Sequence, residues 1–306
     1  MLTSNPTSAT SATTLPVELW LEIIPHIPYT PKNISSLCLT CTQLNVLLNI
    51  HEHSLVSDIK RAQLGTDCIS LFPSLNLTTY AGLNTLHNRL ETLHDLHSQW
   101  LRIVNHGAEL HWLKGRWESV HKAGLLLLYR LQDGGTYEAK VQLMQSLPAT
   151  SLACLLFKLI SSIKILRVSG PEPIHGGWRK EDVEVRSDVE LAFEEVLLGH
   201  GPDVFAAMLG VGRPGRAEWA ISILQTEVAT MGDRQAPYPS GASKPPTLIS
   251  SLRRALAGKA DVTLSLTVSK MWEILSGTAF DDVDQAKMVK LVRGEEIERG
   301  MKRTGF

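Results

Sequence analysis

Apolar positions in the first fifty residues fall into short groups separated by prolines and small polar residues. Leu19, Trp20, Ile23, Ile24 and Ile27 recur at steps of one, three and four, opposite Glu18 and Glu22. A helix is expected to open at Pro16, whose missing N–H is not needed in a first turn, and to be over by Ile24, which precedes Pro25. Asn33, after Pro31, is expected to cap a second short helix carrying Ile34 and Leu37. Thr40 and Gln43 fit a T-x-x-Q capping box, with Leu39 and Leu44 at the positions of a hydrophobic staple and Leu44, Leu47 and Leu48 on the buried face of a third helix. A unit of roughly 40 residues buries too little surface to be stable alone, so this one is read as needing a partner surface.

Farther on, one helix is expected up to Leu64 and a loop near Pro73. Leu83, Leu86, Leu90, Leu93, His97, Trp100 and Val104 then trace the seam of a long helix, either a pillar or an ordinary bundle member, with Trp112 and Trp117 extending the apolar face and Gly107 and Gly115 interrupting it. The stretch from Leu125 to Leu131 belongs in a core and ends at Asp133-Gly134-Gly135. Helices are further expected over 151–168, over 185–198 with Val189, Phe193, Val196 and Leu197 inward, from Pro202, over 214–231 with Trp219, Ile223 and Leu224 inside, from a Thr247 cap to Leu256, and over 281–299. Residues 262–268 alternate like a strand, but with no second strand to pair, the helical reading through Leu264, Val268, Trp272 and Leu275 is preferred. The fold expected is all-α: a disordered tail (1–13), a three-helix hook (14–55), and a helical body (56–306) that is an irregular bundle or a loose solenoid of hairpins, with mobile loops near 169–180 and 232–247.

Composition narrows the function. The 306 residues carry a net charge of −1 with a pI near 6.8, which gives no electrostatic reason to expect nucleic acid or an anionic membrane as a partner. Four cysteines without a framework fit a reducing compartment, and the first fourteen residues have neither the apolar core of a signal peptide nor the arginines of a transit peptide. The apolar run 152–168 is read as too short and too charged to span a bilayer. A cytoplasmic or nuclear protein without cofactors is expected.

The hook's residues Leu15-Pro16-x-Glu18-Leu19, Ile23, Ile27-Pro28 and Leu37-x-Leu39-Thr40-Cys41, with Leu44 and Leu47, resemble an F-box of the fungal type over about a sixth of the chain. Tyr29-Thr30 lengthens the first link, and Thr42 stands where a basic residue is common. The resemblance implies a non-catalytic subunit that links a target protein to a Skp-type adaptor and a cullin–RING ubiquitin ligase, with Leu15, Pro16, Leu19, Ile23, Ile27, Pro28, Leu37 and Cys41 facing the adaptor. A helical scaffold that uses the adaptor without supporting a ligase is the alternative.

Other motifs bear on enzymatic readings. Gly210-Val211-Gly212-Arg213-Pro214-Gly215 with Asp233 matches G-x-G-x-x-G, which could cradle a dinucleotide if a strand preceded it; a helix stop before Pro214 explains it more simply. Cys38-x-x-Cys41 lacks the further ligands of a zinc site, and two small apolar side chains in the hook account for it. His94 and His97 share a helix face but have no completing ligand set.

Overall fold

The computed structural model describes residues 15–172, 174, 188–211, 215–235, 246–281 and 283–297, which form fifteen α-helices and no strand. The all-α expectation is met. The expected tail and most of both expected mobile loops lie outside the described residues, as does Gly212.

The chain divides into two compact units: one runs to Ile69 and includes Leu75–Arg89, the other comprises Ser70–Ser74 and everything from Leu90. The first unit contains α1 (Val17–Ile23), α2 (Pro31–Thr40), α3 (Thr42–Ile50), α4 (Glu52–Gln63) and α5 (Thr66–Ser70). It also includes the first part of α6 (Tyr80–His106), whose remainder lies in the second unit. It therefore extends past the boundary expected after residue 55, because α4 joins the hook's core. Ile24, Leu47, Leu48 and Leu55 form that core, with Trp20, Leu21, Leu37, Cys38 and Tyr80 packed on it. Gln63 at the end of α4 ties down the link after α1. Its Oε1 accepts the Tyr29 N–H at 2.8 Å, and its Nε2 donates to the carbonyls of Pro25 and Ile27 at 2.6 and 2.7 Å.

Several local expectations need correction. α1 is over by Ile24, as expected, but Ile24 itself keeps right-handed helical angles despite the following Pro25, and a 3-10 turn carries the chain on to His26. Thr30, not Asn33, caps α2, its hydroxyl accepting the Asn33 N–H, while Asn33 Nδ2 donates to the Pro28 carbonyl. The T-x-x-Q box does not form: Thr40 is still in α2, its hydroxyl donating to the Ser36 carbonyl, and Cys41 caps α3 through a contact of 3.5 Å from Leu44 N to Sγ. Leu39 is 86% exposed, so it does not staple to Leu44.

The second unit is a bundle built round α9 (Ala149–Ser169), which is buried along most of its length. Packed on it are α7 (Arg116–Asp133), α10 (Asp188–His200), α13 (Leu248–Ala260), α14 (Thr267–Gly277) and α15 (Gln285–Arg293). Completing the unit are α8 (Tyr137–Ser146), α11 (Pro202–Met208) and α12 (Arg216–Gln235). Contrary to the reading of 152–168, α9 is long and apolar enough to cross a membrane by length and composition; 78% of its apolar window is buried inside the bundle. Where α7 crosses α9, Gly124 makes room: a Cβ there would stand 2.5 Å from the Lys158 Cβ.

Thr247 caps α13 as expected, its hydroxyl accepting the Ser250 N–H. α10 passes through Gly199 to His200, and α12 through Gly232 to Gln235, where a loop had been expected. Trp219 lies outside, 41% exposed, while Ala220 and Leu224 turn inward. The α14 helix is preceded by a 3-10 turn, and Leu264 and Leu266 are exposed. α15 is shorter than expected, since Asp284 caps its start and Gly294 ends it at φ 78°.

Candidate docking surface

In α1 and α3 some apolar side chains turn to the core of the first unit and others are exposed. In α1, Trp20 and Leu21 pack on the core, while Leu19 and Ile23, one turn apart, are each 42% exposed. In α3, Leu44, Leu47 and Leu48 are buried and Val46 and Ile50, again four apart, are 54% and 72% exposed. Leu15, Val17 and Leu39 add to the uncovered surface. Of thirteen large apolar residues exposed among the described residues, seven lie between Leu15 and Ile50. Exposed apolar patches are uncommon on the rest of a folded surface and are typical of interaction sites.

Part of this surface is a concave groove of about 580 Å³ lined by the end of the tail and α1 (Leu15, Pro16, Val17, Trp20) on one side and α3 (Leu44, Val46, Ile50) on the other. Cys41, Thr42 and Gln43 close one end, and the thiol of Cys41, engaged with Leu44 N, is half-buried there. Glu18 sits in the first turn of α1, where its charge favours the helix start.

Of the eight residues expected to face an adaptor, the groove gathers Leu15, Pro16 and Cys41. Leu19, Ile23 and Pro28 are exposed outside it, Ile27 is half-buried, and Leu37 is half-buried with its side chain on the hook's core. Val46 and Ile50 were missed, although they occupy the side of α3 opposite the Leu44-Leu47-Leu48 face and could have been found from that periodicity.

Links within the unit hold the surface in place. Tyr29 Oη donates to the Tyr80 carbonyl at 3.2 Å, the Tyr80 N–H donates to Glu52 Oε1 at 2.7 Å, and the Tyr29 ring meets His87 edge-on. Burial pushes the Tyr29 hydroxyl up to about 12, and raises Tyr80 as well, with Glu52 adding to the effect. Both phenols therefore stay protonated near neutral pH.

The enzymatic motifs gain little. The stretch before Gly210 is helix α11, not the strand a dinucleotide loop requires, and Gly210 at φ 67° follows its end. All four cysteines are free, and no group of three His, Cys, Asp or Glu side chains that could hold a metal occurs among the described residues. His97 Nε2 lies 3.5 Å from Glu118 Oε1 at the surface. Searches against protein-family models, curated proteins and solved structures found nothing that matches the chain.

Proposed function

We propose that the N-terminal unit is a docking module for a Skp-type adaptor and that the protein is an F-box-type receptor, presenting a target bound by its helical body to a cullin–RING ubiquitin ligase. The reading rests on the exposed apolar band of the hook. Residues 15–50 leave large side chains uncovered on both outer helices, next to a groove between them, although the same segment also builds its own core. A stable interface needs roughly 1,000 Å² of complementary surface with apolar anchors at its centre, and this band offers such anchors. The F-box resemblance of the Leu15-Pro16 entry and the Leu37–Cys41 segment supplies the identity of the partner. Ubiquitin transfer itself falls to the other subunits.

Co-expression with a Skp-type adaptor followed by affinity purification tests the proposal. The intact chain should bring the adaptor down, and a Leu15→Asp, Pro16→Ala double variant should not, while keeping its thermal transition. An intact, folded chain that recovers no adaptor would overturn the reading.

A further inference from the structure

A polar cleft of about 590 Å³ opens in the second unit between the ends of α7 and α10 and the starts of α11 and α12, lined by Gln132, His200, Asp203, Arg216 and Trp219. Its floor carries a fixed negative charge. Tyr129 Oη donates to Asp203 Oδ1 at 3.1 Å and Thr92 Oγ1 to the same oxygen at 3.5 Å. Both hydroxyls thus hold one carboxylate oxygen. Among the described residues, the other oxygen, Oδ2, has only Arg216 Nη1 at 3.8 Å, which is outside hydrogen-bond range.

The wall of the cleft is aromatic. Trp219 follows Arg216 by three residues on α12, so the two share a face, and the Arg216 guanidinium stands 5.8 Å over the indole ring. Gly215, at φ 82°, also lines the cleft and has open space where a Cβ would be. Burial and the neighbouring Lys140 push His200 below the usual histidine range, against a smaller opposing effect of Glu227. His200 is therefore uncharged near neutral pH. Lys140 itself donates to the Gly199 carbonyl.

A free carboxylate oxygen beside an exposed indole face is complementary to a cation, which gains charge-assisted hydrogen bonds from one and a cation–π contact from the other. An anion entering the same space would meet the Asp203 carboxylate. Arg216 already makes a loose version of both contacts, at the outer limit of each. We infer that this cleft receives an arginine or lysine side chain of a protein partner, with Arg216 as an internal stand-in that gives way to it. The site consists of second-unit residues alone and so does not depend on the adaptor reading.

The test uses the full-length protein and N-acetyl-arginine methylamide as the probe, read by the indole N–H signals of its seven tryptophans, with the Trp219 signal identified as the one lost in Trp219→Phe. The probe should shift that signal saturably, and the neutral citrulline counterpart should not. Asp203→Asn should weaken binding about tenfold or more, because a charged partner is lost. Arg216→Gln should tighten it, because the internal competitor is gone. No saturable shift, equal shifts with citrulline, or a shift produced instead by N-acetyl-phosphoserine methylamide and abolished by Arg216→Gln would each overturn the assignment.

Discussion

Lys158 and His121 meet inside the bundle: Lys158 Nζ lies 3.3 Å from His121 Nδ1, and both residues are buried. The amine also sits 3.8 Å over the Phe205 ring, and the imidazole lies against Trp100 with ring centroids 3.7 Å apart. Desolvation pushes both groups well below their ordinary ranges, and for His121 the nearness of the basic groups of Lys158 and His97 acts in the same direction. Burial therefore favours the uncharged form of both groups in the folded protein, and on unfolding each regains its ordinary tendency to take up a proton.

The sign of the pH dependence follows. Between the lowered folded values and the ordinary 6.5 and 10.5, the unfolded chain holds more protons, so stability rises with pH in that window. Each group contributes up to about 1.4 kcal/mol per pH unit. Melting temperatures measured from pH 7 to 10 should rise, and Lys158→Met should flatten most of that rise. A variant with the same slope as the parent would show that the amine is charged in the folded state.

Gly124 gives a packing test. An added Cβ would stand 2.5 Å from the Lys158 Cβ and 3.0 Å from the Cys154 carbonyl oxygen, and backbone cannot easily yield. Gly124→Ala should cost about 1–3 kcal/mol in urea unfolding. Gly258→Ala, in α13 with open space around the new methyl, should instead stabilise by about 0.5–1 kcal/mol.

Gln63 sets the path of the link between α1 and α2 through its bonds to Pro25, Ile27 and Tyr29. Gln63→Ala should speed hydrogen exchange at the Tyr29 amide and lower stability by about 1–3 kcal/mol. An unchanged exchange rate would mean that the link is held by other contacts.

Surface and core of the hook should separate cleanly under mutation. Leu48→Ala removes a side chain that is 1% exposed and should destabilise by about 2–5 kcal/mol. Ile50→Ser, at a position 72% exposed, should leave unfolding nearly unchanged yet weaken adaptor binding. Equal loss of stability in both variants would place Ile50 in the fold and not in the interface.

The sequence was most legible where one periodicity ran unopposed. Both ends of the α6 seam (Leu83, Leu86, Trp100 and Val104), the buried α7 and α9, and the Thr247 cap were readable because spacing and punctuation agreed, whereas midway along α6 it is Leu96 that is buried and His97 that lies at the surface. It misled where two local signals competed. Thr40 could end one helix or begin the next, and the α2 ladder took it, leaving the cap to Cys41. Trp219 was placed inside with Ile223 and Leu224, whereas Ala220 and Leu224 fill the inward face of α12. The stop at Gly294 was a missed signal, since a glycine after a basic last turn is a common helix end. The Asp203 cleft had no local signature at all, because Thr92, Tyr129, Asp203 and Arg216 come from four separate helices.

Hydrogen-exchange footprinting of the full-length protein, with and without a purified Skp-type adaptor, tests the central claim most directly. The account predicts slower exchange over residues 15–28 and 37–50, where the uncovered apolar side chains lie, and unchanged exchange in the bundle core around α9. Exchange in the hook that is the same with and without adaptor, or protection confined to the second unit, would contradict it.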